Sequence, residues 1–197
     1  MAPLLATRGA ASSTGFGRIF SPTLGSFESI STALLTSTQS SVTISNIPGT
    51  YTHLQVRSRF VGTQNNPPGS VFVEVNSDTN TNNYHVQYLV GDGSTVSGGY
   101  LAPGGGRRWV FAGHTNGGVQ QTYPHIGIVD ILEYTNGNKY KTARAWFGND
   151  NNSAGEICLD SGLWVNGAAI TSLKFTPDAG SLAAGTHIAL YGIKVAA

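Results

Sequence analysis

The groups in this chain able to do chemistry are five histidines, ten carboxylates, one cysteine and many hydroxyls. A serine nucleophile on an α/β scaffold needs a Gly-x-Ser-x-Gly elbow between strand and helix. Gly93-Ser94 comes nearest, in a turn cluster with no helix pattern after it. His53, His85, His114, His125 and His187 are scattered singly, without the His-Glu-x-x-His spacing that sets two imidazoles on one helix face. Each reads as a strand residue rather than a ligand. A glycan hydrolase needs two carboxylates flanking the scissile bond, and a sandwich can draw them from distant strands. Glu74, Asp130, Glu133 and Glu156 are the strand-borne candidates, whereas Asp78, Asp92, Asp150 and Asp178 lie in turn-like surroundings. The expectation for the four is a solvated or paired strand charge. Asp78-Thr-Asn80-Thr-Asn82 offers oxygens at alternate positions, as a calcium loop can. Asn83 stands where that loop has glycine and Leu89 where it has glutamate, so the run reads as turns capped by their own side chains. No catalytic residue, metal ligand or cofactor is expected.

Sugar binding is the more serious small-molecule idea. Aromatic rings on a sheet face, ringed by Asn and Gln, suit a carbohydrate, and Trp109, Trp146, Trp164 and eight tyrosines supply the parts. A sandwich core also needs large aromatics. Core packing is the expectation for Ala145-Trp146-Phe147 and for Gly162-Leu-Trp164-Val165. Arg107-Arg108-Trp109 follows three glycines and is the candidate contact patch, read as an exposed loop tip.

The elements that must position these residues are strands. Thr52 to Phe60 alternates with period two, Leu54, Val56 and Phe60 on one face and His53, Gln55, Arg57 and Arg59 on the other. Val71 to Val75, Tyr84 to Tyr88 and Ser41 to Ser45 repeat the pattern. Further strands are expected at Trp109 to Phe111, Ile126 to Tyr134, Tyr140 to Phe147, Gly162 to Val165, Ile170 to Thr176 and His187 to Lys194. Turn signals separate them, among them Asn46-Ile-Pro-Gly49, Gly91-Asp-Gly93, Asn149 to Asn152 and Pro177-Asp-Ala-Gly180. Asn136-Gly137 is the best hairpin signal, favouring positive φ at both central positions of a two-residue turn. No segment makes a convincing helix. Many short strands without helices bury their faces against each other. The fold class is all-β, an antiparallel β-sandwich, jelly-roll-like, over residues 26–197.

Residues 1–25 differ. They hold two arginines, no acid, and no hydrophobic period, and Leu4-Leu5 is far short of the apolar run of a secretory signal. They read as an extended N-terminal arm that orders against a partner, with Arg8, Gly9, Gly15, Phe16, Gly17 and Arg18 as its candidate anchoring residues.

Composition bounds the function classes. Charged residues make up 11% of the 197, against roughly 25% in an ordinary soluble domain. In their place stand 26 Gly, 20 Thr, 19 Ser and 14 Asn. A net charge of +1 supplies no basic field for a polyphosphate backbone, so no nucleic-acid partner is expected. One cysteine, Cys158, excludes an intrachain disulfide framework and a cysteine-built zinc site. No stretch approaches 18 uninterrupted apolar residues, so no membrane partner is expected. A surface this poor in charge is weakly protected against self-association, which points to a homo-oligomer or larger assembly.

Five stretches carry a resemblance. Pro48-Gly-Thr-Tyr-Thr-His-Leu-Gln-Val-Arg57, Tyr140-Lys-Thr-Ala-Arg144, Ser161-Gly-Leu-Trp164, Ile170-Thr-Ser-Leu-Lys-Phe-Thr-Pro-Asp178 and Gly185-Thr-His-Ile-Ala-Leu-Tyr-Gly-Ile-Lys194 together resemble the small β-rich structural proteins of tailed-bacteriophage virions. The stretch Arg8 to Gly17 separately resembles the glycine-rich leaders of phage tail and fibre proteins. None of these motifs is catalytic. The resemblance implies a non-enzymatic virion component, a fibre or tail-associated appendage, held to other virion proteins by the arm and trimeric in the favoured arrangement. The alternatives are a capsid decoration (cement) protein and a carbohydrate-binding module that recognises a host surface glycan.

Overall fold

The computed structural model describes residues 26–64, 69–104, 108–113, 120–150 and 155–194. The expected arm, residues 1–25, lies outside them. Among the described residues twelve strands follow one another: β1 (Phe27–Leu34), β2 (Val42–Ile44), β3 (His53–Phe60), β4 (Val71–Val75), β5 (Tyr84–Gly91), β6 (Val96–Leu101), β7 (Trp109–Ala112), β8 (His125–Leu132), β9 (Lys141–Asn149), β10 (Glu156–Trp164), β11 (Leu173–Pro177) and β12 (His187–Ile193). The larger sheet runs β1-β12-β3-β8-β9-β10-β5-β6 and the smaller β2-β11-β4-β7. Every pairing is antiparallel.

The order explains the architecture. β1 pairs with β12, β2 with β11, β3 with β8 and β4 with β7. Pairs nested in this way wind the chain as a jelly roll, two four-stranded sheets folded over each other. Two further strand pairs, β5–β6 and β9–β10, add to the β8 side of one sheet and widen it from four strands to eight. The all-β sandwich expected from the period-two pattern is the observed fold.

Alternation places the core between the sheets. Leu54, Val56 and Phe60 of β3 and Val129 and Ile131 of β8 face Val71, Val73 and Val75 of β4 and Leu173 and Phe175 of β11, all buried. Each such large apolar side chain contributes about 1.5–3 kcal/mol on burial. A line of rings crosses the interior: Tyr84 meets Trp109 edge-on at 6.4 Å, Trp109 stacks on Phe111 at 6.3 Å, and Phe111 and Phe60 both pack on Phe175. Gly162 of β10 makes room for this line. A Cβ there would stand 2.7 Å from two atoms of the Trp109 indole.

Two expectations need correction. Asn136-Gly137 does not form a two-residue primed turn, and neither residue has positive φ. The β8–β9 connection instead runs through two successive turns, Glu133 to Asn136 and Asn136 to Lys139. Tertiary contacts override the local signal. Tyr134 is buried with its hydroxyl on the Pro48 carbonyl, and the buried Lys141 donates from Nζ to the carbonyls of Asn136, Lys139 and Gly167. β1 and β6 are strands beyond those expected, and β10 begins at Glu156 rather than near Gly162.

Candidate functional site

The most unusual surface of the molecule is the outer face of the eight-stranded sheet. Antiparallel pairing sets side chains directly opposite one another across neighbouring strands. One transverse row therefore reads Arg57 (β3), Ile128 (β8), Trp146 (β9), Leu159 (β10), Leu89 (β5). The next reads Arg59, Ile126, Gly148, Ile157, Gly91 in the same strand order. Six large apolar side chains thus share a patch, and they are open: Trp146 is 67% exposed, Ile157 65% and Ile126 63%. Soluble monomers seldom expose a contiguous apolar patch beyond a few hundred Å², and larger ones mark interaction sites.

Relief on the face comes from glycine. Gly148 raises no side chain between Ile126 and Ile157, and a Cβ there would collide with the Glu156 carbonyl oxygen. A groove of about 630 Å³ lies over Gly127 and Gly148, walled by Trp146, Ile126, Ile128 and Ile157. The third row, Gln55, Asp130, Arg144, Ser161 and Gln87, closes the patch with polar groups. Gln55 donates to Asp130 at 2.8 Å, and Arg144 donates to Ser161.

β10 carries inverted polarity. Glu156, Cys158 and Asp160 point inward and are buried, whereas Ile157 and Leu159 point to solvent. A buried carboxylate is costly unless paired, and Glu156 lies 3.2 Å from His125 Nε2 with both side chains fully enclosed. Burial, reinforced by the Glu156 and Asp160 carboxylates, pushes the Cys158 thiol far above its ordinary pKa. It is therefore an inert thiol rather than a nucleophile.

The residues expected from sequence to form a site are dispersed. Arg8, Gly9, Gly15, Phe16, Gly17, Arg18 and Arg107 lie outside the described residues. Arg108 forms an ion pair with Glu74 at 3.1 Å. Trp109, read as part of an exposed tip, is 1% exposed in the core, because alternation along β7 turns it inward onto Tyr84 and Phe111. Trp164 is core as expected, its indole N–H donating to Asp78 at 2.8 Å. Trp146, expected in the core, is on the outer face. The tryptophans at 109 and 146 have exchanged their expected places.

The carboxylates and histidines each have their own setting. Glu133 accepts from Lys139, and the Glu133 amide donates to His53 Nδ1. Asp78 accepts from the Asn80 amide, Asn83 and Trp164, and Asn80 accepts from the Asn82 amide, so the Asx-rich run is a set of capped turns. Burial pushes the Asp78 carboxyl up, but those hydrogen bonds outweigh it and hold the pKa below the ordinary range. Ser94 donates its hydroxyl to Asp92 within the β5–β6 turn. Among the described residues no three His, Cys, Asp or Glu are grouped to hold a metal ion.

Sequence reasoning missed Leu89, Ile126, Ile128, Ile157 and Leu159 as surface residues. The signal available was the apolar character of Ile126-Gly-Ile-Val-Asp-Ile-Leu132, interrupted only by Asp130, which puts apolar side chains on both faces of β8. Compared with protein-family models, curated proteins and solved structures, the chain finds no match in any of the three.

Proposed function

We propose that the chain is a non-enzymatic structural component of a tailed-phage virion, most specifically a fibre or tail-associated appendage subunit. In this reading the arm, residues 1–25, fastens it to other virion proteins, and the outer face of the large sheet is covered by neighbours. One observation supports it above the rest: six large apolar side chains stand open on one sheet face of a chain with only 11% charged residues. That surface is a liability in a free monomer and an asset in a crowded particle. The resemblance of the five stretches between Pro48 and Lys194 supplies the kind of particle. A head decoration protein uses the same surface in the same way. Immunogold labelling of purified particles of the encoding phage tests the reading. Gold at one defined structure of the particle is expected, and particles free of label contradict it.

A carbohydrate-binding role is the second reading, favoured by the open indole of Trp146 on the wall of the groove. The flanking residues weaken it. Ile128 and Leu159 lie on either side of the indole, where a sugar site places hydrogen-bonding groups. A glycan array with Trp146→Ala as control separates the two, because glycan binding lost in the variant supports the sugar site.

A further inference from the structure

Resting on the assembly reading of this face, we infer that its first occupant is a second copy of this chain, packed face to face about a two-fold axis running along β9. The register of the sheet carries the argument. Such an axis exchanges β8 with β10 and β3 with β5. In the first row Ile128 of one copy then lies over Leu159 of the other, and in the second row Ile126 lies over Ile157. Aliphatic meets aliphatic at all four positions. Trp146 sits on the axis and meets its own counterpart, with the hollow above Gly148 two residues along the strand to receive an offset pair of rings. A two-fold interface has to be self-complementary in just this way, each patch serving as its own partner.

The flanks agree. On the β3 side the two rows end in Arg57 and Arg59, and on the β5 side they end in Leu89 and Gly91, with Asp92 next in the chain. The axis lays the basic flank of each copy over the acidic turn of the other. In the third row Arg144 lies on the axis and faces its own counterpart, a like-charge contact that Asp130, one strand away in each copy, offsets by setting a carboxylate beside each guanidinium. A net charge of +1 sets no long-range barrier against the pairing.

Breadth selects a sheet over a single segment as the cover. The five strands span about 19 Å at the ordinary strand spacing. An extended arm about 5 Å wide leaves most of that uncovered, whereas a face of equal breadth covers all of it. A standard interface takes about 800 Å² from each partner, and one aromatic side chain alone accounts for roughly 150 Å² or more.

Sedimentation equilibrium of the full chain up to about 100 μM, with far-UV circular dichroism as the folding control, tests the pairing. The wild type is expected to be dimeric, and Trp146→Asp to raise the dimer dissociation constant at least 100-fold with an unchanged spectrum. A second variant reads the axis directly. With Cys158→Ser as background, Trp146→Cys should cross-link to itself through a short bis-maleimide, because only a residue near a two-fold axis faces its own copy. A monomer at 100 μM, a trimer, or a dimer indifferent to Trp146→Asp overturns the inference. So does a dimer that survives Trp146→Asp but is lost on deleting residues 2–20, which would make the arm the occupant. None of these results bears on immunogold labelling, so the virion reading stands or falls separately.

Discussion

At the residue scale, two tryptophans in similar sequence surroundings have opposite roles. Trp109 is enclosed by Tyr84 and Phe111 above Gly162, whereas Trp146 stands open among aliphatic side chains. Trp109→Ala should therefore destabilise the fold by about 3–5 kcal/mol, as deleting a fully buried aromatic does. Trp146→Ala should leave the stability of the dilute monomer within about 0.5 kcal/mol. Denaturant unfolding of both variants at low protein concentration checks the contrast, and equal losses would place both rings in one core. Neither role was legible in the sequence. Both residues lie in short apolar runs, Trp109-Val-Phe111 and Ala145-Trp146-Phe147, and a run without alternation does not say which side chain faces in. What decides is the third dimension: a glycine on β10 opens space at one indole, and among the described residues no layer covers the other.

At the element scale, strands were legible wherever one face is buried and the other is polar. β3 is the clearest case, with Leu54, Val56 and Phe60 in and Arg57 and Arg59 out. β1 and β6 were not legible because they are the edges of the large sheet and bury little on either side, as Phe27-Glu-Ser-Ile-Ser-Thr-Ala-Leu34 and Val96-Ser-Gly-Gly-Tyr-Leu101 show. β10 reads the wrong way round, since hydrophobicity alone would turn Ile157 and Leu159 inward. A slip of one residue would do that and would expose Cys158. In the observed register the only thiol is enclosed, so a thiol reagent should label the folded protein at least 100-fold more slowly than the protein in denaturant. Rapid labelling of folded protein would mean the opposite register. The β5–β6 turn makes a second prediction. Asp92 accepts hydrogen bonds from the amides and hydroxyls of both Ser94 and Thr95. Those bonds, the Thr95 and Ser94 amides foremost, hold its carboxyl far below the ordinary range. A depressed carboxyl stabilises the fold above its unfolded pKa of about 3.9, and that contribution is lost as pH falls towards the folded value. Wild type should thus melt higher than Asp92→Ala near pH 6, with the gap narrowing steadily below about pH 4. A gap that is constant from pH 6 to pH 2 would show that the carboxylate is not the stabilising group.

At the scale of the whole molecule, the jelly roll and its weak charge fit together. Widening one sheet to eight strands creates more outer face than the other described residues cover, and β8, β9 and β10 fill that face with aliphatic and aromatic side chains. Composition alone points to a covered surface, but not to its location, because the low charge is spread over the whole chain while the patch is made by register. In the assembly proposed above, neighbouring subunits bury this face. Hydroxyl-radical footprinting of Trp146, in dilute free subunit and in assembled particles, tests it most directly. Rapid oxidation of Trp146 is expected in the free subunit and at least tenfold protection in the particle, with Trp109 protected in both. Equal oxidation of Trp146 in the two states would contradict it.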